Sequence, residues 1–218
     1  MKLKTFSILG DSISTFKDWI PCENEVFYPK DSYDVTHVEH TWWHLLMEQT
    51  GLELICNESY SGSRISETGV RPIASAFISE KRQARLSGDL IIIFGGTNDF
   101  GQAEQPTTLE IFTQAYIRLV DGMVKRHSKS ELYFCTPLQR TDRSLDEQNL
   151  HGWTQNDLAN TIRTIVLSNP RVHLIDLASY PIQIGDGLLL DNLHPSRKGM
   201  ELVCSMIKQN LDLQLTKN

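Results

Sequence analysis

No hydrophobic run in the sequence approaches the ~20 residues that a membrane-spanning helix needs. The few apolar residues before Gly10 are too short a stretch for a secretory leader. Cysteine is sparse as well: Cys22, Cys56, Cys135 and Cys204 are widely separated, with no CxxC pair. Cys56 and Cys135 fall in apolar runs, where a reduced thiol packs as a small hydrophobe. A cytoplasmic chain with no membrane association is the expectation. Positive charge is short too. With 21 Lys and Arg against 27 Asp and Glu, the net charge is -6, which argues against a nucleic-acid partner. The densest basic cluster (Lys81, Arg82, Arg85) is expected to form one solvated helix face. Finally, no GxxxxGK[ST], GxGxxG, GxSxG or HExxH pattern occurs, so the common phosphate loops, the nucleophile elbow and the zinc-protease helix are missing.

What is present is an ordinary globular composition, 40% hydrophobic and 22% charged over 218 residues. That length suits one domain covering residues 1–218 with a core of its own. Short apolar, β-rich runs occur at 3–9, 52–56, 89–94, 131–136 and 172–177. Between them lie stretches of helical spacing: from Trp42 to before Gly51, through Leu109, Phe112, Tyr116, Leu119, Val120 and Met123, and through Leu158, Ile162, Ile165 and Val166. A last one starts at Ser196. Alternating strands and helices predict an α/β fold: a parallel sheet with helices on both faces. Ligands then bind beyond the carboxyl ends of the strands, where strand order reverses. Two stretches break the alternation, 17–40 and 139–152. Both follow strands at that end, where long loops line sites.

Residues with chemical capacity cluster at those strand ends. The first run ends in Gly10-Asp11-Ser12, which reads as a helix cap or as a serine projecting into the cleft. The third ends in Gly95-Gly96-Thr97-Asn98-Asp99, a glycine turn that also offers an amide donor. In a flavodoxin-like sheet the first and third strands are neighbours, so Ser12 and Asn98 would face one crevice. Near the C-terminus stands Asp191-Asn192-Leu193-His194-Pro195. Three residues apart, a carboxylate can reach an imidazole Nδ1–H and leave Nε2 free as a base.

In this order the motifs resemble the SGNH hydrolases, or GDSL esterases, over residues 6–199. Gly10-Asp11-Ser12, Gly96-Thr97-Asn98-Asp99 and Asp191-Asn192-Leu193-His194 look like that family's first, third and last blocks. The resemblance implies a three-layer α/β/α sandwich on a five-stranded parallel, flavodoxin-like sheet. It also implies a serine esterase without a cofactor, acting on a small-molecule ester. Ser12 would be the nucleophile, His194 the general base and acid, and Asp191 its orienter. The Ser12 N–H, the Asn98 amide and Gly62 would form the oxyanion hole. The stretch from Asn57 to Ser63 departs from the family's second block, and Gly62 is its one glycine, which also reads as a simple turn residue.

The substrate is only hinted at. Trp19, Tyr28, Tyr33, Trp42 and Trp43 stand among Asp18, Glu23, Glu25, Asp31 and Asp34, a mixture that suits sugar rings, or else an irregular loop pinned to the core by its aromatics. Asp11, Trp42 and Trp43 are the substrate-contact candidates, with acetyl or another short acyl group as the expected ester. A lysophospholipase or thioesterase of the same mechanism and a non-catalytic anion-binding module are the alternatives. His40 and His44, with His37 nearby, offer a metal-ligand spacing if helical, but surface histidines capping a helix are the preferred reading, and no metal is expected. Oligomeric state is not readable from the sequence.

Overall fold

A computed structural model describes residues 3–101 and 107–215, with side chains to 211. Five parallel strands form one sheet in the order β2-β1-β3-β4-β5: β1 (Thr5–Gly10), β2 (Glu53–Ser59), β3 (Leu90–Phe94), β4 (Glu131–Cys135) and β5 (Val172–Ile175). This is the flavodoxin-like order expected. The central strand β3, Leu-Ile-Ile-Ile-Phe, is buried along its whole length. Its alternate side chains enter different cores, because successive residues of a strand point to opposite faces. Leu90, Ile92 and Phe94 join Phe6, Ile8 and Tyr133 on one face. Ile91 and Ile93 join Leu9, Leu132 and Phe134 on the other.

Helices close both faces. On the first, Trp42 and Leu46 of α1 (Trp42–Thr50) and Met200, Val203 and Ile207 of α6 (Arg197–Leu215) bury against the sheet. On the second, Phe112, Tyr116 and Leu119 of α4 (Leu109–Arg126) pack with Leu158 and Ile162 of α5 (Gln155–Leu167). Local signals set the helix ends. Thr41 Oγ1 accepts the His44 N–H, and α1 stops at Gly51, whose φ of 73° is the left-handed conformation glycine tolerates. Thr154 and Asp157 cap α5 reciprocally. Two short helices, α2 (Glu80–Arg85) and α3 (Thr97–Gly101), complete the set among the described residues, none of which forms a helix long and apolar enough to cross a membrane.

The structure departs from sequence expectation in two places. Strand β2 continues to Ser59, past the apolar run, because Asn57, Glu58 and Ser59 keep pairing with Ile8, Leu9 and Gly10. The basic cluster on α2 is not one solvated face. Lys81 and Arg85 are exposed, but Arg82 is 4% exposed. Its guanidinium donates to the carbonyls of Gly10, Glu58 and Ser75, tying together the ends of β1 and β2 beneath the Ser12 turn. The nearby carboxylates of Glu58 and Asp11 supply the charge that lets a guanidinium stay there.

Removing one member of a buried charge cluster strands the rest. Arg82→Ala is expected to cost about 3–5 kcal/mol in urea denaturation, whereas Lys81→Ala stays within about 0.5 kcal/mol. Equal, small effects would mean that Arg82 is not the tie.

Candidate active site

The site lies at the carboxyl ends of β1 and β3, at the reversal of strand order. The chain leaves β1 at Gly10 with no room to spare. A Cβ there would stand 2.4 Å from Ser59 Oγ and 2.7 Å from Ser14 Cβ, so glycine leaves the room that these two side chains fill. Asp11 then caps a short 3-10 turn, its carboxylate accepting the Ile13 N–H at 3.0 Å. This turn presents Ser12, 3% exposed, to His194.

The two groups meet at 2.9 Å between Ser12 Oγ and His194 Nε2, and His194 Nδ1 lies 2.8 Å from Asp191 Oδ2. A carboxylate accepts only, so Nδ1 carries the proton and Nε2 accepts from the serine. The last loop builds this geometry itself. Asp191 Oδ1 accepts the N–H groups of Leu193 and His194, and Leu190 N–H donates to the His194 carbonyl at 2.8 Å. Between them Asn192 takes a φ of 67°, the left-handed conformation that asparagine tolerates among non-glycine residues. Thr141, in the 139–152 stretch, holds this Asn192 through its N–H and its hydroxyl. Partial burial works to raise the Asp191 carboxyl. The hydrogen bonds from the His194 ring and backbone, the imidazole's charge and the Tyr33 hydroxyl outweigh it and hold the group well below the usual carboxylate range.

Asn98 sits one residue into α3 and donates through Nδ2 to the Ser63 carbonyl at 2.9 Å. The neighbouring Asp99 carboxylate accepts from Ile65 N, Ser66 N and Ser66 Oγ. Burial pushes Asp99 up to about 6 against those bonds. Together Asn98 and Asp99 clamp the loop after β2 onto α3. Gly62 lies in that loop beside Ser63, with φ 78° and the Arg71 guanidinium over its α-carbon. The structure thus brings Ser12, Asp191 and His194 together directly, and joins Asn98 to the loop that carries Gly62 at the same carboxyl end of the sheet.

Three candidates fall elsewhere. Trp42 and Trp43 are both 0% exposed, and their indole N–H groups donate to Ser14 Oγ and the Ser14 carbonyl. They anchor α1 to the turn that begins at Ser12 and have no surface left for a substrate. Asp11 is fully buried too, its carboxylate turned inward to the Ile13 N–H, and burial raises it to about 7. None of the three is a substrate contact. Of the other aromatics, Tyr28 is buried with its hydroxyl on the Pro195 carbonyl, while Trp19 is 41% exposed. The histidine trio does not converge. His37 and His40 meet edge-on at 5.4 Å, and His44 faces Glu48 at 3.5 Å. Among the described residues no group of three or more His, Cys, Asp or Glu is placed to hold a metal.

Two aromatics stand at His194 and Asp191 in roles the sequence did not suggest: Phe27, which it did not single out, and Tyr33, which it offered only among rings suited to sugars. Phe27 stacks on the His194 ring at 3.5 Å and 11°, and the Tyr33 hydroxyl donates to Asp191 Oδ2 at 2.8 Å. The only sequence signal for either was the aromatic richness of 17–40, which does not say which ring faces which partner.

A carboxyl whose native pKa lies below its unfolded value stabilises the fold above the unfolded value, and that contribution fades as pH falls through the native one. The Asp191 turn is therefore expected to hold at about pH 4, where an ordinary aspartate is half protonated. The 13Cγ resonance of Asp191 checks this: it should not titrate down to about pH 3, and a midpoint near 4 would refute the hydrogen-bonded carboxylate.

A family model for GDSL-like lipases/acylhydrolases matches residues 4–211. A solved GDSL-like lipase from Bacteroides ovatus is 30% identical, with 97% of this chain and 99% of that one covered and a TM-score of 0.72. Another from Bacteroides uniformis is 28% identical, with 96% of each chain covered and the same TM-score. A family two carbohydrate esterase from Clostridium thermocellum, solved with cellohexaose, shares the fold at 14% identity and a TM-score of 0.67, covering 99% of this chain and 66% of its own. No curated protein matches. The chain belongs to the GDSL-like lipase/acylhydrolase family, and with it to the ester-bond hydrolases.

Proposed function

We propose that the chain is a serine esterase for small carboxylic esters with short acyl groups, acetyl foremost, working through Ser12, His194 and Asp191. The observation that carries this reading is the continuous line from Ser12 Oγ through His194 to Asp191 Oδ2, at 2.9 and 2.8 Å. His194 Nε2 takes the Ser12 proton as Oγ adds to the ester carbonyl. The resulting oxyanion is received by the Ser12 N–H, the Asn98 amide and the Gly62 N–H. An amide carries two N–H donors, so the bond to Ser63 orients Asn98 and leaves a hydrogen to offer. The intermediate collapses, the alcohol leaves with the proton from His194, and water attacks the acyl-enzyme by the same route. Asp191 stays ionised throughout and stabilises the imidazolium.

Carbohydrate esters are the favoured alcohol class, on two grounds. The segment 17–40 sets aromatic rings among carboxylates beside the site, with Trp19 still open to solvent. A carbohydrate esterase also shares the fold.

Ser12→Ala is expected to lower turnover of p-nitrophenyl acetate on the order of 10⁴-fold or more and to abolish fluorophosphonate labelling. Asn98→Ala should leave a trace, about 10²–10³-fold down. Near wild-type turnover in Ser12→Ala would end the assignment. Across p-nitrophenyl esters of increasing chain length kcat/KM should fall beyond the shortest acyl groups, with acetylated sugars hydrolysed. A maximum at long acyl chains would favour a lysophospholipase-like specificity instead.

A further inference from the structure

The segment 17–40 reaches the catalytic groups by a chain of contacts that the triad alone does not require. The Thr15 hydroxyl donates to the Ser12 carbonyl at 2.9 Å and accepts the Phe27 N–H at 2.9 Å. The backbone of Phe27 is thereby registered to the nucleophile residue itself. Its ring then lies flat on the His194 imidazole, while Tyr28 meets the same imidazole edge-on at 6.3 Å and 82°. Tyr33 donates to Asp191 Oδ2, the same oxygen that faces His194 Nδ1. Phe27 and Tyr33 also contact each other at 5.5 Å, and Lys30 Nζ stands 5.1 and 4.9 Å over their rings.

We propose that Phe27 and Tyr33 are positioning residues for the base, Phe27 fixing the plane of the His194 ring by stacking and Tyr33 fixing the carboxylate that orients it. The proposal rests on His194 being the base. An imidazole held only by its two nitrogens can still rock about the line joining its partners. A ring face packed against it removes that freedom. The same π face attracts the imidazolium formed during the reaction. Tyr33 acts in the opposite electrostatic sense. By donating to Oδ2 it draws charge from the oxygen that would otherwise serve the imidazolium alone. Other ionisable groups face this cluster. Asp11 adjoins Ser12, Asp34 accepts the Arg197 N–H at the start of α6, and the Lys30 ammonium opposes an imidazolium beneath Phe27. All of these are unchanged in the variants below, so differences between variants report the two aromatic residues.

The test compares wild type with Phe27→Leu, Phe27→Tyr and Tyr33→Phe, each checked for folding by circular dichroism. Profiles of kcat and KM against pH are measured with p-nitrophenyl acetate. Phe27→Leu is expected to lower kcat about three- to tenfold, with KM within about twofold, and to move the acid limb to lower pH. Phe27→Tyr restores both, because it keeps the ring face. Tyr33→Phe moves the acid limb to higher pH. The His194 ring 15N resonances, titrated in the resting protein without substrate, should shift in the same two directions. That arm stands even if no ester is turned over, which separates failure of this proposal from failure of the esterase reading. A rise in KM at unchanged kcat would mean that Phe27 contacts substrate instead. Limbs and resonances that do not move, or that move the same way in both variants, would leave the pair a merely structural role and overturn the proposal.

Discussion

The hydrogen bond between Ser12 and His194 joins residues 182 positions apart, and much of the architecture serves to keep it at 2.9 Å. One end is set by the sheet, since β1 is flanked on both sides by hydrogen-bonded strands and delivers the Ser12 turn from the middle of the molecule. The other end is set by the last loop, whose left-handed Asn192 and Asx-type bonds aim the imidazole before any substrate arrives. Two irregular stretches then brace the junction. Thr141 holds Asn192 from one side, and Phe27, Tyr28 and Tyr33 hold His194, Pro195 and Asp191 from the other.

Beneath the Ser12 turn lies a layer of buried charge that is costly in isolation and tolerated because its members face one another. Arg82, Glu58 and Asp11 share it, and three backbone carbonyls receive the guanidinium. Replacing such a cluster by apolar residues could preserve or raise stability, but an apolar side chain cannot bond the carbonyls of Gly10 and Glu58 at once. The guanidinium's planar fork does so. This ties the last residues of β1 to those of β2 where the apolar pairing has ended. The loop after β2 is clamped by similar means, with Asp99 drawing it onto α3 through three bonds.

The fold and the functional residues were legible in the sequence to different depths. Strand cores and helix stripes were readable because burial on both faces makes a strand a continuous apolar run, as in β3, and burial on one face gives a helix a period, as from Phe112 to Met123 on α4. Strand ends were less so: β2 outruns its apolar segment because backbone pairing continues through Asn57, Glu58 and Ser59 regardless of side-chain hydropathy. Trp42 and Trp43 misled for a related reason. Aromatic rings set among carboxylates suit a core anchor and a sugar-binding face equally, and only the partner of each indole N–H distinguishes the two.

By itself, then, the sequence determined what depends on neighbours along the chain: the alternation of strand and helix, the stop of α1 at Gly51, the Asp11 turn and the Asp191–His194 loop. These are short-range consequences of backbone hydrogen bonding and periodic burial, and three to five consecutive residues carry each of the local motifs. Only the tertiary structure decided which aromatic ring covers the imidazole, that Tyr33 shares Asp191 with His194, and that Arg82 points inward while Lys81 and Arg85 do not. Those outcomes depend on which distant groups share a volume, and no local pattern encodes that when one side chain can satisfy several partners equally well.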